Sequence, residues 1–347
     1  MATQTLLHGQ AVSPSLAPTN NSLFPVVCST LCGEALGQHI QHHYGLDSLL
    51  ACKLWIRGLS DVYLLETRTE TYVLRVSHAQ WRKRNEVQFE LAFLEHLHHQ
   101  AVSVAHPLRT TAGRLLLTLA APEGQRVAAL FPFAPGEIPL CDLSPDQASL
   151  LGKSLAEVHR ASQNFAAPCH RKALTLEHLL DESVAQILPF FAAQPQEQLY
   201  LQELRSQLQA SLQASPQQAP HWGICWGDPH SGNAHFTPTG GITLFDFDQC
   251  GYGWRIFDIA KFLQTSLRTG MSYAVRQAFL QGYESVSPLD SWELQSLPHW
   301  VQVAHLWSWS IRLGASQLHS HSQFDQRYFN QRLHQLKSFT QHNWQLI

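Results

Sequence analysis

The stretch Trp222–Phe262, WGICWGDPHSGNAHFTPTGGITLFDFDQCGYGWRIFDIAKF, sets polar groups unusually densely among short β-type runs. Asp228 follows Gly227 and the apolar run Ile224–Trp226. It therefore stands where a strand gives way to a loop, the usual place for a positioned catalytic side chain. Asn233 comes five residues later, in a loop tightened by Pro229 and Gly232. Gly240 and Gly241 turn the chain, and Ile242–Phe247 reads as a strand bearing Asp246, with Asp248 just beyond. A lone Asp at a strand end more often caps a turn than binds a metal. A loop Asp, a nearby Asn and an Asp on the next strand are a different matter. They are hard oxygen donors that can hold Mg²⁺ on a nucleotide phosphate while one carboxylate orients an attacking hydroxyl.

Upstream, the runs Cys52–Arg57, Val62–Glu66 and Thr71–Val76 predict an antiparallel meander, preceded by a short helix from about Leu31 to Tyr44. Val87, Leu91, Leu94 and Leu97 recur at helical spacing and predict a helix over Arg84–His99. Strands Arg114–Leu119 and Val127–Phe133 follow. Phe131–Glu137 (FPFAPGE), with two prolines and a glycine, ends the last strand and marks a domain boundary between residues 23–133 and 134–347. Residues 1–22 read as a mobile leader. Beyond the boundary the pattern is mainly helical. Ser144-Pro145-Asp146-Gln147 combines a capping serine, a first-position proline and a third-position glutamine, and starts a helix that reaches about Ser162. Thr175–Leu188 and Glu197–Leu212 read as further helices.

Composition narrows the classes of function. The chain has 347 residues, 44% apolar and 14% charged, with Lys+Arg 23 against Asp+Glu 26 and a formal charge of −3. It has no cationic excess for a nucleic-acid backbone or an anionic bilayer, so neither polyanion is expected as a main partner. No run approaches the roughly 18 apolar residues of a membrane span. The seven cysteines are odd in number and scattered, with no signal segment before them, which favours reduced thiols in the cytoplasm. Cys28, Cys32 and the histidines at 39, 42 and 43 fit no common zinc spacing. Trp300, Trp307, Trp309 and Phe324 read as helical core.

Gly227-Asp228-x-His230-x-x-Asn233, the hairpin, Asp246-Phe247-Asp248 and Asp258 together resemble the aminoglycoside phosphotransferase, or phosphotransferase-enzyme, family. That family is a branch of the protein-kinase-like fold that includes choline, homoserine, hydroxylysine and stress response kinases. The resemblance runs from about Gly58 to the last helices. It implies a two-lobed α+β fold, with a small antiparallel β lobe carrying one helix and binding nucleotide, and a larger, mainly helical lobe for catalysis and substrate. It also implies ATP and Mg²⁺ as cofactors and a hydroxyl-bearing small molecule or protein Ser/Thr as acceptor. The oligomeric state does not follow from it.

At matching positions the resemblance makes Asp228 the catalytic base, Asn233 and Asp246 the Mg²⁺ ligands, and Asp258 the support of the catalytic loop. Arg75, on Tyr72–Val76, would grip the phosphates, paired to Glu86 on the following helix or to Glu90 one turn later, with Glu86 preferred. Leu130–Glu137 resembles the linker that holds adenine, which brings Phe131 and Phe133 to the nucleotide. His230 either donates to the substrate or bonds the loop backbone, and Asp248 either touches the metal or caps the next loop. Family members usually carry His-Gly-Asp. Here Trp226 takes the His position and is expected to replace its packing. Two competing functions are a degenerate kinase fold that binds without turnover and a two-metal phosphoesterase, the second leaving the Arg75 region without a purpose.

Overall fold

Strands β1 (Leu49–Arg57), β2 (Ser60–Thr67), β3 (Thr71–Ser77), β4 (Leu117–Ala121) and β5 (Gly124–Pro132) form an antiparallel sheet in the order β1-β2-β3-β5-β4. The computed structural model describes residues 24–140, 142–318 and 321–339, so the leader inferred for 1–22 lies outside the described residues. Strand alternation assigns the two faces of the sheet. Tyr63, Leu65, Leu74, Val76, Ala128 and Leu130 are buried against Leu36, Ile40 and Tyr44 of helix α1 (Gly33–Tyr44). Their neighbours Val73, Arg75, Val127, Ala129 and Phe131 take the opposite face, on the side of helix α2 (Arg84–His99), where Val87, Leu91, Leu94 and Leu97 are buried. The small lobe thus has α1 behind the sheet in addition to the one helix that the resemblance implies.

The helical part follows Pro132. It contains α3 (Pro145–Ser162), a π-helical turn over Glu177–Asp181 running into α4 (Glu182–Ile187), α5 (Pro195–Leu212), α6 (Arg255–Thr269), α7 (Tyr273–Glu284), α8 (Ser291–Gly314) and α9 (Gln326–Ser338). The start of α3 is the expected capping box: Ser144 Oγ accepts from Gln147 N at 3.2 Å, and Gln147 Oε1 accepts from Ser144 N at 3.0 Å. Glycines bring α3 and α7 into close contact, since a Cβ on Gly152 would strike the Phe279 carbonyl and one on Gly282 the Ser149 carbonyl. Trp300, Trp307 and Trp309 are buried, as their spacing suggests. Among the described residues, no helix is long and apolar enough to cross a membrane.

Two short two-stranded ladders frame the loops that carry the acidic residues. β6 (Trp222–Cys225) pairs with β9 (Gly251–Trp254), and β7 (Ala234–Phe236) pairs with β8 (Ile242–Leu244). The strand expected over Ile242–Phe247 stops at Leu244 because Asp246 adopts a left-handed backbone, φ +58°, which cannot continue a ladder. The chain leaving α2 bonds β8 directly, Ala105 N to Leu244 O at 2.8 Å and Leu244 N to Ser103 O at 3.0 Å. The connection from α2 to β4 is therefore fixed to the strand that precedes Asp246.

Candidate active site

One cleft of about 310 Å³ is lined by Arg75, Glu90, Phe131, Phe133, Asp228, Asn233 and Asp246, among others. That volume is within the range of small-molecule sites. The sheet face, the β5 exit and the β6–β7 and β8–β9 loops meet there. Gly227 makes the approach of the loops possible. Its φ is +89°, and a Cβ would strike the Gln249 carbonyl.

Asp258, in the first turn of α6, fixes the loop that ends in Asp228. Fully buried, its carboxylate accepts from Trp226 N at 2.6 Å, Gly227 N at 2.8 Å and His159 Nε2 at 2.9 Å. The other ring nitrogen of His159 is 2.9 Å from the Tyr283 hydroxyl, which ties α3 and α7 to the same point. Trp226, also fully buried, stacks on Phe247 with centroids 5.2 Å apart and donates its indole N–H to the Asp246 carbonyl at 3.0 Å. The residue that stands in the family's His position thus supports the second acidic loop by packing and by a hydrogen bond.

Asp228 projects into the cleft about 32% exposed, with Lys261 Nζ 2.5 Å from Oδ1 and His230 Nε2 3.6 Å from Oδ2. Burial pushes this carboxyl up, but the Lys261 ammonium, with His230 beside it, outweighs that and holds Asp228 well below the usual carboxylate range. His230 Nδ1 accepts from Gly232 N at 3.0 Å, which puts its proton on Nε2, the side facing Asp228. The backbone bond is one of the two roles open to His230, and its Nε2 stays turned to the Asp228 carboxylate. Asn233 donates its amide to the Asp228 carbonyl at 3.1 Å and keeps its side-chain oxygen as a donor toward a cation. Asp246 lies 4.0 Å from Arg75 with its side chain half exposed. Its depth in the cleft and the nearby Asp248 carboxylate push it up to about 6, against the pull of Arg75.

Arg75 makes a two-point ion pair with Glu90, Nη1 to Oε1 at 2.6 Å and Nη2 to Oε2 at 2.7 Å, and lies 5.5 Å from the Phe131 ring. The expected pairing with Glu86 is corrected. Glu86 occupies the first turn of α2, accepts from Lys83 N at 2.9 Å as a cap, and faces Arg82 at 3.7 Å. Glu90 falls on the buried stripe and is fully enclosed. The Asp248 carboxylate accepts from Trp81 Nε1 at 2.8 Å and Arg82 Nε at 3.2 Å. It ties the segment before α2 to the acidic loop, and Arg171 bonds its carbonyl and that of Glu86. Phe131 is buried along the cleft, while Phe133 stands at its mouth, 5.9 Å from Trp55 and 5.5 Å from His235.

Lys261 was not singled out from the sequence, yet it contacts Asp228 directly. Its spacing of three from Asp258 was the available signal.

Residues 56–297 match the family described as Phosphotransferase enzyme family. An uncharacterised protein of Synechocystis sp. is 45% identical over 338 residues, covering 96% of this chain and 94% of the relative. The microcompartment-associated aminopropanol kinase superposes with a TM-score of 0.73 at 22% identity, covering 88% of this chain and 95% of that one. The amicoumacin kinase in complex with AMP-PNP, Ca²⁺ and Ami superposes with a TM-score of 0.72 at 18% identity, covering 88% and 92%. These two likenesses establish the protein-kinase-like fold, and the match over 56–297 establishes more: the chain belongs to the phosphotransferase enzyme family.

Proposed function

We propose that this phosphotransferase is a kinase that moves the γ-phosphoryl group of ATP, with Mg²⁺, to a hydroxyl of a small molecule. Residues 23–133 would bind the nucleotide, and 134–347 would supply catalysis and the acceptor site. The carrying observation is that one cleft gathers the Glu90-anchored Arg75, the Lys261-bound Asp228, and the oxygen donors Asn233 and Asp246. The nucleotide analogue and Ca²⁺ named with amicoumacin kinase, and the small acceptor named for aminopropanol kinase, support the same reading.

The donor set fits a hard divalent cation. Asn233 and Asp246 offer oxygen only, and Asp246 is a carboxylate whose charge is incompletely offset by Arg75. When bound, such a cation neutralises charge on the transferring phosphates. Arg75 is held by both guanidinium arms to Glu90, keeps its charge at any working pH, and faces the phosphate side of the cleft. Phe131, with Phe133 and Trp55 at the mouth, supplies the apolar walls for a base. Lys261 holds Oδ1 of Asp228, which leaves Oδ2 to orient the acceptor hydroxyl. So strongly ionised a carboxylate is a weak base. It takes the proton late, once the bond from oxygen to phosphorus is well advanced.

The Trp226 indole bond to Asp246 argues against the degenerate reading, since the exceptional residue maintains the loop. The test is transfer of γ-labelled phosphate from ATP and Mg²⁺ into a pool of hydroxyl metabolites by wild type and Asp228→Asn. Label with wild type alone is expected. Absent label from a chain that still binds ATP would refute turnover, and equal label from the two proteins would refute the role of Asp228.

A further inference from the structure

In the small lobe, one thiol is met by both a base and a cation. Cys28, half-buried in the segment before α1, has its sulfur 3.2 Å from His78 Nδ1 and 2.9 Å from Arg57 Nη2. His78, just past β3, is 4% exposed, and its Nε2 lies 3.2 Å from the Gly58 carbonyl. A carbonyl only accepts, so the ring proton sits on Nε2 and Nδ1 is left bare to take the thiol proton. Burial holds this imidazole below its ordinary value despite Asp61, which keeps Nδ1 free near neutral pH. Asp61 itself is fully enclosed. Its Oδ2 accepts from Arg126 Nη2 at 2.8 Å, while Oδ1 accepts no hydrogen bond and lies 3.8 Å from His78 Nε2. A buried carboxylate oxygen so placed stabilises the imidazolium that forms when Nδ1 takes a proton.

The segment does not need the thiol in order to dock. Ser29 N donates to Glu123 Oε1 at 3.1 Å, Arg126 Nη1 to the Ser29 carbonyl at 3.0 Å, Tyr63 Oη to the Leu31 carbonyl at 3.1 Å, and Arg57 Nη1 to Thr30 Oγ1 at 2.8 Å. What the thiol adds is chemistry: a nucleophile, a base within reach, and a group that orients the base are the parts of an activated nucleophile. A guanidinium beside the sulfur favours the thiolate. The thiols of Cys52, Cys169, Cys225 and Cys250 are instead pushed up by burial, which makes them poor nucleophiles.

We propose that Cys28 is a nucleophilic thiol and a site of mixed-disulfide formation with small anionic disulfides. The thiol proton moves to His78 Nδ1, the sulfur attacks one sulfur of the disulfide, and the S–S bond breaks; the departing thiolate takes the proton, so a thiol and a disulfide give a new disulfide and a new thiol. The Arg57 side chain is 40% exposed, and its charge meets an anionic reagent at the point of attack. The adduct also reaches the cleft, because Gly58, Leu59 and Ser60 line it and His78 holds the Gly58 carbonyl. A disulfide-bonded sulfur has no proton for His78 and carries bulk against Arg57, so the turn loses its outer support and nucleotide binding weakens. This coupling rests on the kinase reading above.

The test exposes the full chain to glutathione disulfide at pH 7 and follows the Cys28 adduct by peptide mass spectrometry. Native wild type is compared with the same chain unfolded in urea, with Arg57→Gln and with His78→Gln. Native Cys28 is expected to react at least about tenfold faster than in urea, and each variant at least about fivefold slower than native wild type. A native rate no faster than the rate in urea, or an unchanged rate in either folded variant, overturns the site. R57Q, changed at a partly exposed side chain, decides alone if H78Q does not fold. Cystamine, a cationic disulfide, is expected to show less of the advantage of native over unfolded chain; an equal advantage for both reagents overturns the anionic class. The adduct is expected to bind AMP-PNP with Mg²⁺ about fivefold more weakly, the equivalent of one hydrogen bond, and Cys28→Ser treated alike to keep its affinity. Unchanged binding by the adduct, or an equal loss in C28S, overturns the coupling. Should AMP-PNP fail to bind the untreated chain, the kinase reading falls while the reaction rates still decide the thiol.

Discussion

Replacing Glu90 by Gln, with Glu86→Gln as its companion, separates the anchor of Arg75, the arginine proposed to grip the phosphates, from a helix cap. Glu90 is fully buried and holds both arms of Arg75 at 2.6 and 2.7 Å, while the Arg75 side chain is only 11% exposed. Removing one partner of such a pair strands the other charge, at a cost of about 3–5 kcal/mol. An amide retains the shape and one acceptor, so the lower end is expected for E90Q. The freed guanidinium has Asp246 within 4.0 Å and would turn toward it, away from the phosphates. If ~3 kcal/mol is lost from the phosphate grip, kcat/KM for ATP falls roughly a hundredfold. Glu86 caps α2 through Lys83 N and is loosely paired with Arg82, so E86Q should cost about 1 kcal/mol or less and leave kcat/KM within about threefold. Urea unfolding gives the stabilities, and labelled-phosphate transfer gives the rates. Equal rate losses in the two variants would refute the assignment, because the cap would then matter as much as the anchor.

Trp226→Phe keeps a ring on Phe247 but deletes the donor to the Asp246 carbonyl; it should lose about tenfold in transfer rate while staying within ~2 kcal/mol of wild type. Trp226→Ala also opens a cavity and should cost about 3–5 kcal/mol in urea unfolding, so the two variants falling together in stability would count against the hydrogen-bond role. Chelation with EDTA should abolish transfer and Mg²⁺ restore it, with Asp246→Asn needing about tenfold more Mg²⁺ for half-maximal rate; a rate indifferent to EDTA would remove the metal from the reading. His305 is buried and neutral, held well below its ordinary value by burial and by Arg332, so the unfolded chain binds the extra proton as pH falls below about 6.5. Its contribution is fully present above that pH and is lost on acidification, at up to about 1.4 kcal/mol per pH unit. His305→Gln should flatten the acid limb of stability by that slope, and an unchanged limb would mean that other groups set it.

What could be read in the sequence lay within contiguous stretches. The period-two runs and the helical spacing of Val87 to Leu97 located the sheet and α2, because each element shows one face to one core. Asp228, Asn233 and Asp246 were legible because the two short connections β6–β7 and β8–β9 carry all three. The failures were pairings across the fold. Glu86 and Glu90 share a helix face, and only the seating of α2 on the sheet decides which meets Arg75. Position 90 nevertheless lies inside the apolar stripe, three residues after Val87 and four before Leu94, where a carboxylate must find a buried partner. Asp248 looked ambiguous because its partners, Trp81 and Arg82, lie more than 160 residues earlier. Lys261 is different, since local reasoning could have reached it. Asp258 is fixed beneath Trp226 N and Gly227 N, which places the first turn of α6 directly under the loop that carries Asp228. A side chain three residues on stands on the same face one turn further, and a lysine is long enough to pass the loop backbone and reach its carboxylate. A cation at that spacing therefore belongs to Asp228 rather than to the helix surface.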